Sequence, residues 1–335
     1  MKWKVLAGLR FFLALIVVSY HLKDFVPNYG KDLLCQLGKF NGMAAVLGFL
    51  LVSGYSIAHS ITKNTKGFYQ RRILRIYPLY VCAVLVSLIP FLILGSKVEV
   101  FFGVVSQPEL WTVIGNLMFW QTFVVDTLQS NNPLWTLAVE VFCYLLAPVF
   151  VKLSNKVLAV FIGLSAIFYG AYPYVYGKFF PDSSLPVYSA WKFGIPFCFF
   201  LWAWLSGFLY YRLSQNKKGF LKGLILGLGV LLLAINHNHL GKLGIVTYLL
   251  SCVVLVISSN VQIPKLMFKF FDYLGDISYP LYLFHMPAFI FLSGTLKIKS
   301  SPILFLFALF ISILFYHIID VPLRLKKPTG QPNLT

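Results

Sequence analysis

Long apolar stretches separated by short polar segments run through the whole sequence. A membrane-spanning helix needs about 20 largely apolar residues, and ten stretches approach that length. They lie near residues 5–24, 43–62, 75–96, 134–152, 157–176, 191–212, 221–237, 244–259, 273–295 and 302–321. The pattern predicts an all-α polytopic membrane protein with about ten transmembrane helices.

A further apolar stretch, 110–125, is short and contains the amides Asn116 and Gln121. The long spans alternate correctly between the two sides of the membrane only if this stretch does not cross. We therefore predict that 110–125 is re-entrant or a half-helix. Irregular backbone at membrane depth must be satisfied by protein or by a cavity, so we also expect this stretch to line a site.

Composition agrees with a membrane protein. Hydrophobic residues make up 59% of the 335 residues and charged residues 11%, whereas a soluble domain carries about 25% charged residues. The basic N-terminus and the apolar run after it are similar to a signal peptide, but no small-residue cleavage site follows. We predict a retained first helix, one membrane-embedded domain over 1–321 and a short basic cytoplasmic tail over 322–335.

The excess of basic residues predicts the orientation of the chain. There are 28 Lys and Arg against 10 Asp and Glu, a net charge of +18. The basic residues form short clusters between apolar stretches, which favours the positive-inside rule over nucleic-acid binding as their explanation. Both termini are predicted to be cytoplasmic.

Two ionisable residues, Arg10 and His21, lie on the first predicted helix. Eleven residues are close to three helical turns, so both side chains project from nearly the same face, about 16 Å apart along the axis. Ionisable residues inside a membrane are costly and point to function. The structural alternatives are that Arg10 is a positive-inside anchor and that His21 is an interfacial histidine.

Glu140 lies six residues into the span that begins near residue 134. This position predicts roughly the depth of His21, and a lone carboxylate at that depth needs a partner. We predict that the partner is His21, because such a pair fixes the tautomer of an imidazole and raises its basicity, as a general base requires. The alternative is a structural pair that joins two helices.

Arg71, Arg72 and Arg75 lie together at the predicted cytoplasmic face. Guanidinium groups bind phosphates bidentately, so the cluster is suited to a ligand with several phosphates. Anchoring to lipid headgroups is the alternative.

Ser53 and Gly54 lie in the middle of a predicted span, where small residues allow close helix approach or the passage of a ligand. No base is adjacent to Ser53 in the sequence, so close packing is favoured over a nucleophilic role. His285 lies between Pro280 and Pro287, which bend a helix and free backbone carbonyls. It either lines a pocket or makes a structural hydrogen bond. The five cysteines show no spacing typical of a metal site.

Five segments together resemble the acyltransferase 3 family of bacterial integral-membrane O-acyltransferases. They are Gly8–His21, Phe49–Tyr55, Arg71–Pro78, Pro133–Tyr144 and Ile277–His285. The first matches the Arg-x10-His helix of the family. There are two departures: Val141 follows Glu140 where the family often has a second acid, and Pro280 stands where a small residue is more usual.

The resemblance implies a protein of the bacterial inner membrane that transfers an acyl group, most often acetyl. The donor would be acyl-CoA, and the acceptor a hydroxyl of an envelope carbohydrate such as lipopolysaccharide or capsule. Catalytic roles are expected for His21, Glu140 and Arg10, without a metal. Binding of acyl-CoA is expected at Arg71, Arg72, Arg75, Arg10, Ser53 and Gly54, and the acceptor side at Trp135, Tyr279 and His285.

Several alternatives stay open at this point. Transfer to the acceptor is either direct or through an acyl-histidine, and the chain either completes it alone or passes the acyl group to a separate extracytoplasmic partner. A glycolipid or polysaccharide transporter or flippase would use the same intramembrane polar residues. A sensor or scaffold without catalysis is the third class, against which the presence of Arg10, His21 and Glu140 argues.

Overall fold

The described residues form a bundle of long helices with one short hairpin. The structure, a computed structural model, describes residues 2–27, 29, 31–179, 191–215 and 219–325. The first half contains α1 (Lys2–His21), α2 (Leu33–Gly38), α3 (Gly42–Lys63), α4 (Phe68–Val86), α5 (Ile89–Leu94), β1 (Lys97–Val100), β2 (Gly103–Ser106), α6 (Leu110–Leu117) and α7 (Trp135–Lys152). The second half contains α8 (Asn155–Phe179), α9 (Ile195–Ser214), α10 (Gly219–Ile235), α11 (His237–Ile257), α12 (Phe268–Thr295), α13 (Ser301–Phe315) and α14 (Val321–Leu325).

A helix lies at each of the ten predicted positions. Within the described residues, six helical segments are long and apolar enough to cross a membrane: 2–24, 42–63, 68–94, 129–152, 155–178 and 301–324. The all-α membrane architecture is confirmed, while ten crossings and cytoplasmic termini stay predictions. Of the predicted tail, residues 322–325 belong to α14 and the rest lies outside the described residues.

Contacts along α1 fix the directions of its neighbours. The rings of Trp3 and His59 lie 4.8 Å apart, and the ring of Tyr20 lies against Gly42, so α3 runs antiparallel to α1. His285 contacts His21, and Asp272 pairs with Lys4 near the start of α1, so α12 runs parallel to α1. We call the end where α1 begins and α3 ends the basic end, and the end where α1 finishes the far end.

The backbones of α3 and α9 touch at two reciprocal glycines. A Cβ atom added to Gly54 would lie 1.9 Å from the carbonyl oxygen of Trp204, and one added to Gly207 would lie 1.9 Å from that of Leu51. No side chain fits at either position, because the obstacle is backbone on both helices. Of the two interpretations of Gly54, the structure therefore favours close helix packing over the passage of a ligand.

The stretch 110–125 forms a half-helix, as predicted. Helix α6 has eight residues, about 12 Å, which is too short to cross a bilayer. A non-helical turn follows, with left-handed backbone at Phe119 and Thr122. The buried amide of Asn116 donates to the carbonyl of Asp126 (2.8 Å), and that of Gln121 donates to the hydroxyl of Tyr80 (2.8 Å). These bonds satisfy polar groups that would otherwise be costly to bury.

The antiparallel hairpin β1–β2 was not predicted. It lies at the far end, where the ring of Phe102 packs edge-on against that of Phe25 at 5.3 Å. In the sequence, a short alternation indicates the hairpin. Val98 and Val105 are buried, and the residues next to each of them are exposed. Four-residue strands between long apolar runs are easily overlooked, because hydropathy windows average over them.

We expect single cysteines introduced at residues 66 and 102 to be labelled from opposite sides of the membrane. Lys66 is exposed at the basic end and Phe102 is exposed at the tip of the hairpin. A membrane-impermeant maleimide should modify the Phe102→Cys variant in intact cells and the Lys66→Cys variant only after permeabilisation. The unsubstituted chain, with five cysteines of its own, gives the background. The reverse pattern would show that the predicted orientation is inverted.

Candidate active site

A cavity lies among α1, α3, α4, α7 and α12 and encloses about 1070 Å³ of space free of atoms, including its open mouth. The exposed Arg75 lines it, and so does Arg324, which bonds to Asp276 near the start of α12; both place the mouth at the basic end. The charged and hydroxyl-bearing residues of its wall are Arg10, Ser53, Ser56, Arg72, Arg75, Thr136, Glu140, Tyr144, Asp276, Ser278, Tyr279, Tyr282, Asp320 and Arg324.

Three of the predicted arginines project into this cavity. Arg10 Nη2 donates to Ser56 Oγ at 2.7 Å, and Arg72 Nη2 donates to Ser60 Oγ at 2.7 Å. Arg75 makes no hydrogen bond or ion pair within the part of the chain that the structure describes. These bonds use one nitrogen of Arg10 and one of Arg72, and leave the others for an anionic ligand.

Arg71 does not line the cavity. Its guanidinium donates instead to the backbone carbonyls of Asn64 and Lys66 in the turn between α3 and α4. Helix α4 begins after Gly67, which has left-handed backbone and no side chain that could cap the helix. An arginine in the first turn of the helix therefore lies beside the exposed carbonyls of the loop. The predicted cluster of three arginines is thus divided, with Arg72 and Arg75 facing the cavity.

Arg324, on α14, also joins the cavity wall, although it was not among the predicted site residues. It donates to Asp276 at 2.6 Å and pairs with Asp320, one helical turn before it. The spacing of Asp320 and Arg324 is visible in the sequence as an i,i+4 pair. The contact with Asp276 is tertiary, so only the structure shows that the pair belongs to the cavity.

Glu140 does not pair with His21, and that prediction is wrong. Its carboxylate accepts a hydrogen bond from Ser53 Oγ at 2.6 Å and another from the hydroxyl of Tyr144. Glu140 lies five residues inside α7, about 8 Å along the axis, whereas His21 is the last residue of α1. The two side chains therefore differ in depth. The carboxylate also gives Ser53 the adjacent base that its sequence neighbours lack.

His21 pairs with a second histidine at the far end. His21 Nδ1 lies 3.2 Å from His285 Nε2, and the ring centroids are 5.2 Å apart. His21 Nδ1 is also 3.0 Å from the carbonyl oxygen of Val17. The side chain of His285 is completely buried. Of the two alternatives for His285, the structure therefore favours a hydrogen bond over a place in the cavity wall.

Aromatic side chains separate the cavity from the histidine pair. Phe49 and Tyr282 line the cavity, while His21 and His285 do not. The rings of Phe49 and Tyr282 lie edge to face at 5.8 Å, and that of Tyr282 is 6.1 Å from the ring of His285. The hydroxyls of Tyr282 and Thr136 share a hydrogen bond of 2.7 Å, which fixes the tyrosine.

Of the remaining predicted residues, some line the cavity wall and others pack elsewhere in the bundle. Tyr279 lines the cavity and donates to the carbonyl of Ile76 at 3.0 Å. Trp135 is buried against Phe200 and lies outside the cavity wall. No residue of 110–125 lines this cavity, and the expectation that the stretch lines a site stays a prediction. Among the described residues, no three His, Cys, Asp or Glu side chains are grouped as a metal site requires.

The chain is similar to known acyltransferases over most of its length. The family described as an acyltransferase domain matches residues 4–319. ORF330 of Acidianus two-tailed virus, whose name describes an acetyltransferase, is 27% identical over 298 residues, which cover 84% of this chain and 82% of that protein. Acyltransferase MdmB of Streptomyces mycarofaciens is 30% identical over 166 residues, which cover 45% of this chain and 40% of that protein. No solved structure matches the chain.

The family match includes Arg10 and His21 on α1, the cavity wall apart from Asp320 and Arg324, and the second histidine on α12. It therefore extends over both polar centres as well as the apolar helices that carry them, and it supports acyl transfer as the activity. The chain belongs to the acyltransferase 3 family.

Proposed function

We propose that this protein transfers an acetyl group from cytoplasmic acetyl-CoA to a hydroxyl of an envelope carbohydrate on the other side of the membrane. One observation carries the proposal: a cavity with arginines at its mouth extends toward a histidine near the opposite end of the bundle. Such an arrangement fits a donor that enters from one face and an acceptor that enters from the other. The name of the viral relative favours acetyl as the acyl group.

The arginines supply the binding energy for the donor. Arg72 and Arg75 would bind the phosphates of acetyl-CoA at the mouth, since guanidinium groups bind phosphate through charge-assisted hydrogen bonds. Arg10 lies deeper and would contact a carbonyl or a phosphate of the donor. Arg324 is held by two carboxylates and is therefore less available.

Glu140 balances charge in this cavity. It interacts electrostatically with both Arg10 and Arg72, and it is held in place by Ser53 and Tyr144. A buried cation without a counter-ion is costly. We infer that Glu140 serves as a counter-ion of Arg10 and Arg72 while the donor is absent.

His21 would act as the general base. Its Nε2 would take the proton of the acceptor hydroxyl as the hydroxyl oxygen attacks the thioester carbonyl carbon. The tetrahedral intermediate then collapses, the carbon–sulfur bond breaks, and the thiolate of CoA takes the proton from His21. To bring the thioester to His21, the arm of the donor must pass Phe49 and Tyr282, which requires a movement of these two side chains.

Transfer is tested with purified protein in vesicles, radiolabelled acetyl-CoA on the basic side and envelope glycans on the other. We expect base-labile radioactive esters on the glycans. In the same assay, replacing Arg72 or Arg75 with Gln should raise the KM for acetyl-CoA by about 10-fold or more, because each loses a charge-assisted bond of about 1.5–3 kcal/mol.

Arg71→Gln is the matched control, because Arg71 bonds to the turn and not to the cavity. Its KM for acetyl-CoA should stay near that of the unsubstituted protein. An unchanged KM in all three variants would disprove the phosphate site. Movement of a glycolipid across the vesicle without any ester formation would instead support the transporter alternative.

A further inference from the structure

The hydrogen-bond partners of the two histidines define where their protons lie. His285 Nδ1 is 2.9 Å from the carbonyl oxygen of Tyr282 and 3.2 Å from that of Leu281. A carbonyl oxygen only accepts hydrogen bonds, so His285 Nδ1 must carry a proton. In the neutral ring, His285 Nε2 is then bare and acts as an acceptor.

The hydrogen-bond partners of His21 assign its tautomer in the same way. Its Nδ1 faces the carbonyl of Val17 at 3.0 Å and the bare Nε2 of His285 at 3.2 Å. Both are acceptors, so His21 Nδ1 carries the proton and shares it between them. The Nε2 atom of His21 is then unprotonated, which is the state that a general base requires.

His285 is held in one orientation by its surroundings. The rings of Tyr282 and Phe289 lie on either side of it, at 6.1 and 5.8 Å, and none of its surface is exposed. Pro287 removes the backbone N–H that would bond to the carbonyl of Leu283, and the side-chain amide of Asn131 donates to that carbonyl at 2.9 Å. The carbonyl that Pro287 leaves without its helical partner is therefore satisfied, and hydrogen bonds hold the imidazole on this helix.

We propose that His285 is a positioning residue for acyl transfer, which accepts the Nδ1–H of His21 and thereby keeps His21 Nε2 free for the proton of the acceptor. This inference rests on the proposed function. When the acceptor hydroxyl gives its proton to His21 Nε2, the imidazolium keeps its Nδ1–H bond to His285, and that charge-assisted bond stabilises it. The proton leaves Nε2 for the thiolate of CoA, and the pair returns to its starting state. The second histidine thus takes the place that the sequence analysis gave to Glu140.

The test compares His285→Leu with His285→Gln. Leucine removes the acceptor, whereas the amide oxygen of glutamine can accept the Nδ1–H of His21. We expect kcat to fall by about 10²-fold or more in the leucine variant, with an unchanged KM for acetyl-CoA, and to recover by about 10-fold or more in the glutamine variant. His317→Gln, at an exposed histidine bonded to Tyr273, is the control for the loss of a histidine and should retain full activity.

A second measurement does not depend on turnover. Solid-state nitrogen NMR of the protein with isotope-labelled histidines should show His21, assigned by difference with His21→Ala, as the Nδ1–H tautomer, and a mixture of tautomers in His285→Leu. Full kcat in the leucine variant, or equal losses in both variants with the tautomer of His21 unchanged, would overturn the role of His285. If the unsubstituted protein transfers no acetyl group, the proposed function fails, and the tautomer of His21 in the NMR spectrum still decides whether His285 fixes it.

Discussion

Replacing His21 with Ala is expected to lower acetyl transfer by about 10²- to 10⁴-fold, the contribution of a positioned general base. The KM for acetyl-CoA should not change, because His21 lies outside the cavity wall and beyond Phe49 and Tyr282. Base-labile acetyl esters on the surface glycans of cells that produce the variant should fall to the level of cells without the protein.

The control for this experiment is His59→Ala. His59 lies at the basic end, where it contacts the ring of Trp3 and the hydroxyl of Tyr211, and it has no place in the proposed reaction. Thermal unfolding and helix content of both variants in detergent establish that they are folded. Equal esterification of glycans by the unsubstituted protein and by His21→Ala would show that His21 is not the base.

Replacing Gly54 with Ala is expected to destabilise the protein by about 3 kcal/mol or more, at the upper end of what overpacking costs. The added Cβ would lie 1.9 Å from the carbonyl oxygen of Trp204, and this atom belongs to the backbone of α9. Backbone cannot move aside as a side chain can, so α3 and α9 must separate. Ser53, the next residue, would then lose its alignment with Glu140.

Gly163→Ala provides the matched control, since it makes the same chemical change on another helix. A Cβ at Gly163 meets no atom within 4 Å, and alanine favours a helix over glycine by about 1 kcal/mol. Thermal unfolding in detergent should show a much lower midpoint for Gly54→Ala and an unchanged or higher one for Gly163→Ala. Equal midpoints would contradict the close approach of α3 and α9.

The helices and the chemistry of the site were predictable from the sequence to different degrees. Long apolar runs predict helices because burial in a bilayer depends on apolar length, and a helix lies at every predicted position. The same patterns place Arg10 and Glu140 inside the bundle. They do not predict which helices are neighbours. The partner of Glu140 therefore could not be predicted from the spacing of polar residues, because it lies on a different helix, α3.

The other predictions that differ from the structure concern the depth of a residue in the bundle or the helical face from which its side chain projects. Counting residues along its span predicts for Glu140 the depth of His21, but the position of a residue within a span is not its distance from the membrane surface. Arg71 and Arg75 share a helical face by spacing, yet the structure directs Arg72 and Arg75 into the cavity. Arg71 lies in the first turn of its helix and bonds to carbonyls of the preceding loop. A helical wheel shows only the helix and does not include such contacts. His285 was recognised as unusual because two prolines flank it, but its partner required the packing of α12 on α1.

The two rings that separate the cavity from the histidine pair have a consequence for the cell. Phe49 and Tyr282 are in contact and belong to the cavity wall, whereas His21 does not. Each elementary charge that leaks across a membrane potential of 100 mV dissipates about 2.3 kcal/mol. An uncharged thioester arm can pass between two aromatic rings at far lower cost than a hydrated ion. In the proposed reaction, the acyl group would therefore reach the outside while the membrane keeps its proton and ion gradients.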